Sequence, residues 1–242
     1  MGRAARILRG MVRLVLFDID GTLVRTGGAG VKAFAKVFAT EFGAVDGFEQ
    51  LKFGGRTDLS LLREFFGFHQ IPATPENFQR FFERYVFWLA EFMQQSQGGV
   101  CPGVWELIGR LQTLAPAPLL GLLTGNIRLG AEIKLRHFNL WETFVTGAFA
   151  DDHEERDHLA AIACGRASRL LGEKLPGNQV LVIGDTPLDI RCARAIGAKA
   201  LSVATGGCDL EELRLHRPDW AVENLTDVDP EQVVRGEEQR TP

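Results

Sequence analysis

Residues 12–24, with the sequence VRLVLFDIDGTLV, constrain the fold more than any other part of the chain. Leu14–Phe17 is a short apolar run of strand-forming residues, which is typical of a buried strand. Two carboxylates, Asp18 and Asp20, follow at once. Isolated charges cost too much free energy to be buried without partners. We therefore expect both just past the carboxyl end of a parallel strand, where α/β proteins bind their ligands.

This pair of carboxylates predicts a reactive site. Asp18 can act as a nucleophile, and Asp20 can donate and accept a proton for the group that leaves or attacks. Two like charges so close together also call for a cation, and their oxygen ligands suit Mg²⁺. The alternative is an ordinary turn, because Asp and Gly are common turn formers. An apolar strand that ends in DIDGT favours the reactive site.

The composition is that of an ordinary globular protein. The 242 residues are 45% hydrophobic and 24% charged, with a net charge of −4. The mildly acidic balance gives no electrostatic support for binding nucleic acid or an anionic membrane, and no apolar run is long enough to span a bilayer. The four cysteines have no ligand-like spacing, so we expect free thiols and a cytoplasmic location.

The order of the predicted elements indicates two domains. Residues 25–99 hold fifteen of the 22 aromatic residues in helical spacing, which predicts a separate all-helical unit. From residue 100 onward strands alternate with helices, which predicts a doubly wound parallel sheet. The expected α/β core therefore comprises residues 11–24 and 100–235. We expect residues 1–10 and 236–242 to be disordered tails, and Met11 is a possible alternative start.

Two later strands are also predicted to end in polar residues at the same edge of the sheet. Thr124, Gly125 and Asn126 follow an apolar run and offer a hydroxyl and backbone N–H groups to an anion, although they can also be a plain helix cap. Asp185 follows another apolar run, with Asp189 four residues later. This segment can likewise be only a helix cap, but a further carboxylate at this edge favours a metal ligand.

Together these residues resemble the haloacid dehalogenase-like phosphohydrolases. DIDGTLV at 18–24 is similar to the first motif of that family, Thr124 in LLTGN to the second, and GDTPLD at 184–189 to the fourth. The resemblance extends from Val12 to about Val222. It implies a doubly wound parallel sheet with a helical cap inserted after the first motif, which corresponds to residues 25–99.

The resemblance also implies roles for these residues. Asp18 would form an aspartyl-phosphate, and Asp20 would be the general acid and base. Thr124, with Gly125 and Asn126, would bind the phosphoryl group. The implied Mg²⁺ site consists of Asp18, the backbone carbonyl of Asp20, and Asp185, with Asp189 orienting metal-bound water.

The third family motif, normally a lysine that is often followed by proline, is missing. Lys174 is near a proline but precedes the strand before Asp185, which places it at the wrong end of the sheet. Arg156 stands between the second and fourth motifs with the expected spacing, at the head of a predicted helix. A guanidinium stays charged and can pair with both carboxylate and phosphate. We therefore predict that Arg156 is catalytic and binds phosphate, although it can also be a surface residue that pairs with nearby acids.

The predicted cap contains one candidate substrate contact. Gly54 and Gly55 let the backbone approach a ligand closely, and the fork of Arg56 suits a carboxylate or a second anionic group. The alternative is that Arg56 pairs with Asp58 in an exposed loop. The segment LKFGGRTD at 51–58 looks most like the phosphoglycolate-phosphatase-like group of the family.

The resemblance therefore implies Mg²⁺-dependent hydrolysis of a small phosphorylated metabolite. A phosphomutase of the same fold and a non-catalytic phosphate-binding protein remain alternatives. Dehalogenation is disfavoured by Asp20, because dehalogenases of this fold usually lack the second aspartate. The sequence does not identify the substrate or distinguish a monomer from a homodimer.

Overall fold

The computed structural model describes residues 10–48 and 51–237, and its centre is a six-stranded parallel sheet. The strands of this sheet are β1 (Leu14–Phe17), β4 (Leu119–Leu123), β5 (Thr146–Ala148), β6 (Val180–Gly184), β7 (Lys199–Val203) and β8 (Trp220–Val222). Their order across the sheet is β5-β4-β1-β6-β7-β8. Strand β1 lies between β4 and β6, with Phe17 beside Leu122 on one side and Ile183 on the other.

Helices cover both faces of this sheet. They are α4 (Val104–Thr113), α5 (Arg128–His137), α6 (Arg156–Leu171), α7 (Pro187–Ala195), α8 (Leu210–Leu215) and α9 (Pro230–Arg235). Val15 and Phe17 of β1 belong to one apolar cluster, which also contains residues of α4, α5 and α9. Leu14 and Leu16 point to the other face and pack with α6 and α7. The fold is therefore the predicted doubly wound α/β sheet.

The cap, also predicted, is a helical unit with its own aromatic core. Its helices are α1 (Ala29–Val37), α2 (Asp58–Phe68) and α3 (Pro75–Gln94), and a π-helical turn, Phe38–Phe42, continues α1. Phe38 is fully buried, and its ring packs against those of Phe65 and Phe81. The aromatic residues that recur at helical spacing in the sequence thus form the core of the cap. Helix α2 was not predicted as a separate element. It begins at Asp58, which the sequence analysis considered as part of a loop together with Arg56.

A short antiparallel ribbon, which the sequence did not indicate, connects cap and sheet. It pairs β2 (Val24–Arg25) with β3 (Gly99–Val100). Two-residue strands are too short to show a hydrophobic alternation. The domain boundaries at residues 25 and 99 stay a prediction. The predicted disordered tails lie outside the described residues, except for residues 10, 236 and 237. No helix in the described ranges is both long and apolar enough to cross a bilayer.

The cap lies directly against the loop that follows β4. A Cβ on Gly125 would be 2.0 Å from the carbonyl oxygen of Arg56, so only glycine permits this approach. The backbone N–H of Asp58 donates to the carbonyl of Gly125 (2.7 Å). The Asp58 carboxylate accepts from the N–H of Ile127 (2.8 Å), which precedes α5. A cap residue thus satisfies a free donor at the start of a core helix.

The buried position of Asp58 alters its acidity. Burial raises the pKa of its carboxyl from 3.8 to about 7, while the Lys134 ammonium and the Ile127 N–H oppose the shift and Asp20 and Asp151 add to it. Because the folded state then binds a proton more tightly than the unfolded chain, this carboxyl destabilises the fold increasingly as pH rises from about 4 to about 7.

We therefore expect Asp58→Asn to gain stability relative to the native protein as pH rises. The amide oxygen can still accept the Ile127 hydrogen bond, but no charge has to be buried. The difference in unfolding free energy should shift in favour of the variant by up to roughly 4 kcal/mol between pH 4 and 7.5. Urea denaturation at several pH values measures it. The exposed Asp227 supplies the control Asp227→Asn, and a difference that stays constant with pH would contradict the prediction.

Candidate active site

The carboxyl ends of the central strands bring the sequence-predicted residues to one place. Asp18 follows β1, Thr124 follows β4 and Asp185 follows β6. All three are buried, with exposed fractions of 5%, 0% and 3%. Because neighbouring parallel strands end at the same edge of a sheet, the short polar segments after them lie side by side.

Three carboxylates form a buried cluster. Oxygens of Asp18, Asp185 and Asp189 lie within 4.8 Å of one another. Burial raises the pKa of Asp18 to about 6; Arg156 opposes this shift, and the charges of Asp189 and Asp20 add to it. Burial, together with Asp189 and Asp18, also raises the pKa of Asp185 well above its usual value. These carboxyls therefore tend to keep their protons unless further positive charge lies beside them.

This cluster fits a divalent cation that prefers oxygen ligands. Asp18 and Asp185 offer carboxylate oxygens, and Thr22 donates to one oxygen of Asp185 (3.0 Å), which fixes that side chain. A Cβ on Gly206 would be 1.6 Å from the other oxygen of Asp185. A glycine is therefore required for the backbone to approach this carboxylate. A bound Mg²⁺ would supply the positive charge that the buried acids lack.

Arg156 lies in the middle of the site. It is the first residue of α6, and its side chain is 4% exposed. The guanidinium lies 3.1 Å from the Asp18 carboxylate, pairs with Asp189, and donates to the carbonyl of Leu123 at the end of β4 (3.3 Å). The alternative of a surface arginine that pairs with nearby acids is wrong. Lys174 is exposed, in the connection that precedes β6.

Asp189 has two structural partners in addition to its place in the carboxylate cluster. One of its oxygens pairs with Arg156, and the other accepts from the backbone N–H (3.0 Å) and hydroxyl (2.7 Å) of Thr186. The second set is a capping box at the start of α7. Asp189 therefore holds Arg156 in place from a rigid helix end.

Thr124, Asn126 and Asp20 form a hydrogen-bonded chain beside the cluster. The Asn126 amide group donates to the Thr124 hydroxyl and to the Asp20 carboxylate, both at 2.8 Å. The backbone N–H of Asn126 also donates to the Thr124 hydroxyl (3.3 Å). This chain fixes Asp20, whose side chain is 43% exposed, in an orientation toward the cap.

Sequence reasoning missed Lys134, which completes this network. Its ammonium lies 2.6 Å from both the Asp20 carboxylate and the Asn126 amide oxygen, and its side chain is only 5% exposed. Lys134 stands on the buried face of α5 beside Ala131 and Leu135. A charged residue on an otherwise apolar helical face was the available signal, because a buried lysine needs a partner.

The cap contributes the loop that contains Gly55 and Arg56. The carbonyl of Gly55 accepts from Arg156 (3.1 Å), so this loop closes over the cluster. Arg56 also faces the cavity, but its guanidinium pairs with Glu64 and lies 3.4 Å from the Ser60 hydroxyl. The alternative pairing of Arg56 with Asp58 is wrong, because Asp58 bonds to Ile127 instead.

A cavity of about 160 Å³ separates these cap residues from the sheet. Asp18, Asp20, Thr124, Arg156 and Lys134 line it from the core. A larger groove, of about 610 Å³, runs along the β5 edge and contains none of these side chains. The smaller cavity therefore combines a buried nucleophile candidate, cations and backbone N–H donors, as sites for anionic ligands do.

Known proteins resemble this chain in sequence and in fold. A phosphoglycolate phosphatase from Synechococcus elongatus is 26% identical over 220 residues, which cover 90% of this chain and 95% of that protein. Among solved structures, β-phosphoglucomutase from Clostridium difficile superposes with a TM-score of 0.71 at 16% identity, over 92% and 96% of the two chains. CbbY from Rhodobacter sphaeroides, in complex with phosphate, superposes with a TM-score of 0.64 at 19% identity, over 82% and 88%.

These structural similarities show a shared fold. A sequence model of the family described as haloacid dehalogenase-like hydrolase matches residues 15–203, from the first strand of the sheet to the end of β7. This range contains all of the converging side chains described above and the whole cap. The chain belongs to the haloacid dehalogenase-like hydrolase family.

Proposed function

We propose that this protein is an Mg²⁺-dependent phosphatase that hydrolyses a small phosphomonoester through an aspartyl-phosphate on Asp18. The observation that carries the proposal is the pairing of a buried carboxylate with a buried guanidinium, 3.1 Å apart, in the lining of the cavity. The name of the Synechococcus relative and the sequence of the cap loop also favour a member of the phosphoglycolate-phosphatase-like group, which is defined here by sequence and not by the leaving group of its substrate.

Attack by a carboxylate on a phosphate is opposed by charge repulsion. Arg156 and the N–H groups of Gly125 and Asn126 would bind the phosphoryl oxygens and reduce this repulsion. The Thr124 hydroxyl would donate a further hydrogen bond. Asp18 and Asp185, with the backbone carbonyl of Asp20, would hold Mg²⁺, which supplies positive charge for the transferring group. Asp189 would fix Arg156 and orient metal-bound water.

Asp20 would provide the proton transfers. In the first step, an oxygen of Asp18 forms a bond to phosphorus while the ester bond breaks, and Asp20 protonates the leaving oxygen. In the second step, Asp20 removes a proton from water, which attacks the phosphorus and releases phosphate and Asp18. The Asn126 amide and the Lys134 ammonium hold the Asp20 carboxylate near the cap, on the side where the leaving group would lie.

The cap would exclude bulk water and contact the leaving group. The Gly55 carbonyl bound to Arg156 connects the cap loop to the phosphoryl end of the cavity. Gly55 and Arg56 are thus proposed to lie against the bound substrate. We further propose a cytoplasmic enzyme, either monomeric or homodimeric, whose four cysteines are free thiols.

The proposed role of Asp18 as nucleophile can be tested by substitution. Asp18→Asn should lower kcat by at least about 10³-fold, because the amide keeps the shape but cannot form the acyl-phosphate. The melting temperature should stay equal or rise, since the variant buries one charge fewer. Phosphate release from p-nitrophenyl phosphate, with and without Mg²⁺, measures this. Asp20→Asn should be similarly impaired, and Asp185→Asn should need more Mg²⁺; near-native activity of Asp18→Asn would exclude the mechanism.

A further prediction separates the two candidates for the missing basic motif. Arg156→Ala should cost about 2–4 kcal/mol of transition-state stabilisation, measured as kcat/KM, because it removes a charge donor fixed beside the nucleophile. Lys174→Ala should leave kcat/KM unchanged. Arg156→Lys should recover part of the loss, which separates the role of charge from that of folding. A larger effect at Lys174 than at Arg156 would refute the assignment.

A further inference from the structure

The cap end of the cavity differs in chemistry from the phosphoryl end. Beyond Asp18 and Arg156, the lining includes Phe34, Tyr85, Asp58 and Arg56 from the cap and Lys134 from the core. A cavity of about 150 Å³ accommodates a molecule the size of benzene, whereas sites for drug-sized ligands begin near 300 Å³. With a volume of about 160 Å³, this cavity has room for a small phosphate ester.

Lys134 has a donor available for a ligand. An ammonium carries three N–H groups, and two of them are used by Asp20 and Asn126. Within the described ranges, no third acceptor lies at hydrogen-bond distance. The residue is 4% exposed and lines the cavity, so the partner of the remaining N–H would be a molecule inside the cavity, either water or a ligand.

Tyr85 presents a second polar group at the same place. Its ring packs in the cap core and the residue is 1% exposed. In the part of the chain that the structure describes, its hydroxyl makes no hydrogen bond. A Cβ on Gly30 would lie 3.6 Å from the Lys134 nitrogen and 3.7 Å from the Tyr85 oxygen. Because Gly30 has no side chain, space for a ligand remains beside both groups.

The charges around this space disfavour a second anion. The Lys134 ammonium is already paired with Asp20, Arg56 is already paired with Glu64, and Asp58, whose pKa burial raises to about 7, supplies no positive charge. A carboxylate on the leaving group would add negative charge and can only accept hydrogen bonds. A hydroxyl adds no charge, can accept from Lys134 or Tyr85, and can donate to Asp58.

We propose that the substrate's leaving group carries an uncharged hydroxyl, bound at the cap end by Lys134, Tyr85 and Asp58. The substrate class is then that of short hydroxylated alkyl phosphates, in preference to carboxylated ones. This inference rests on the proposed phosphomonoesterase function. It also moves recognition of the leaving group from Arg56, which the sequence suggested, to Lys134 and Tyr85.

Three esters of equal chain length test the inference: 2-hydroxyethyl phosphate, ethyl phosphate and 2-phosphoglycolate. The native enzyme should show kcat/KM for the hydroxyethyl ester about tenfold above that for either of the others. Tyr85→Phe, which removes only the hydroxyl, should reduce the preference over ethyl phosphate severalfold. Lys134→Met should lower activity on all three, through Asp20, and should also reduce this preference. The control Phe87→Leu, at an exposed position of the same helix, should leave the ratios unchanged.

Binding without turnover separates this inference from the proposed function. Calorimetric titration with 2-hydroxyethylphosphonate, ethylphosphonate and phosphonoacetate should give the same ranking in the native protein. If this ranking holds but no ester is hydrolysed, the proposed function fails and the ligand class stands. If the esters are hydrolysed but 2-phosphoglycolate is preferred, or both variants reduce all rates in equal proportion, the inference is overturned. Absence of both binding and hydrolysis overturns both.

Discussion

The buried ion pair between Arg156 and Asp18 organises the whole site. Three carboxylates within 4.8 Å of one another would strongly destabilise the fold if no cation lay among them. Arg156 meets part of this need from the first turn of α6, and Asp189 holds the arginine from the first turn of α7. The end of the central strand β1 places Asp18 at the edge of the sheet. The starts of α6 and α7 place Arg156 and Asp189 beside it, and the cap loop contacts Arg156 through the Gly55 carbonyl.

A second cation serves the neighbouring half of the cavity. Lys134 pairs with Asp20 and not with the carboxylate cluster, so the two ends of the cavity have separate charge balances. Asn126 lies between them and bonds to both Thr124 and Asp20. Nucleophile and proton donor are thus held in different surroundings, which allows two carboxylates two residues apart to play different parts.

The sequence predicted the sheet and the convergence of residues more fully than it predicted their partners. Apolar runs that end in polar residues are local signals, so Asp18, Thr124 and Asp185 were recognisable one segment at a time. The pairing of Lys134 with Asp20 joins residues 114 positions apart and has no local signature apart from a charge on an apolar helix face. For the same reason, the only partner considered for Asp58 was its neighbour Arg56, as one of two alternatives, whereas its actual partner is the backbone N–H that precedes a distant helix.

The ribbon of β2 and β3 has a consequence for how this enzyme can change. Arg25 and Gly99, which bound the predicted cap, are paired with each other. A Cβ on Gly98 would lie 1.9 Å from the Arg25 carbonyl oxygen, so the two crossings touch. Because its two ends adjoin, the segment of 73 residues between Arg25 and Gly99 is attached to the sheet in the way that a long surface loop is attached. Such an insert can be lengthened, shortened or exchanged as a module, and the repertoire of accepted molecules can diversify while the reaction chemistry is inherited intact.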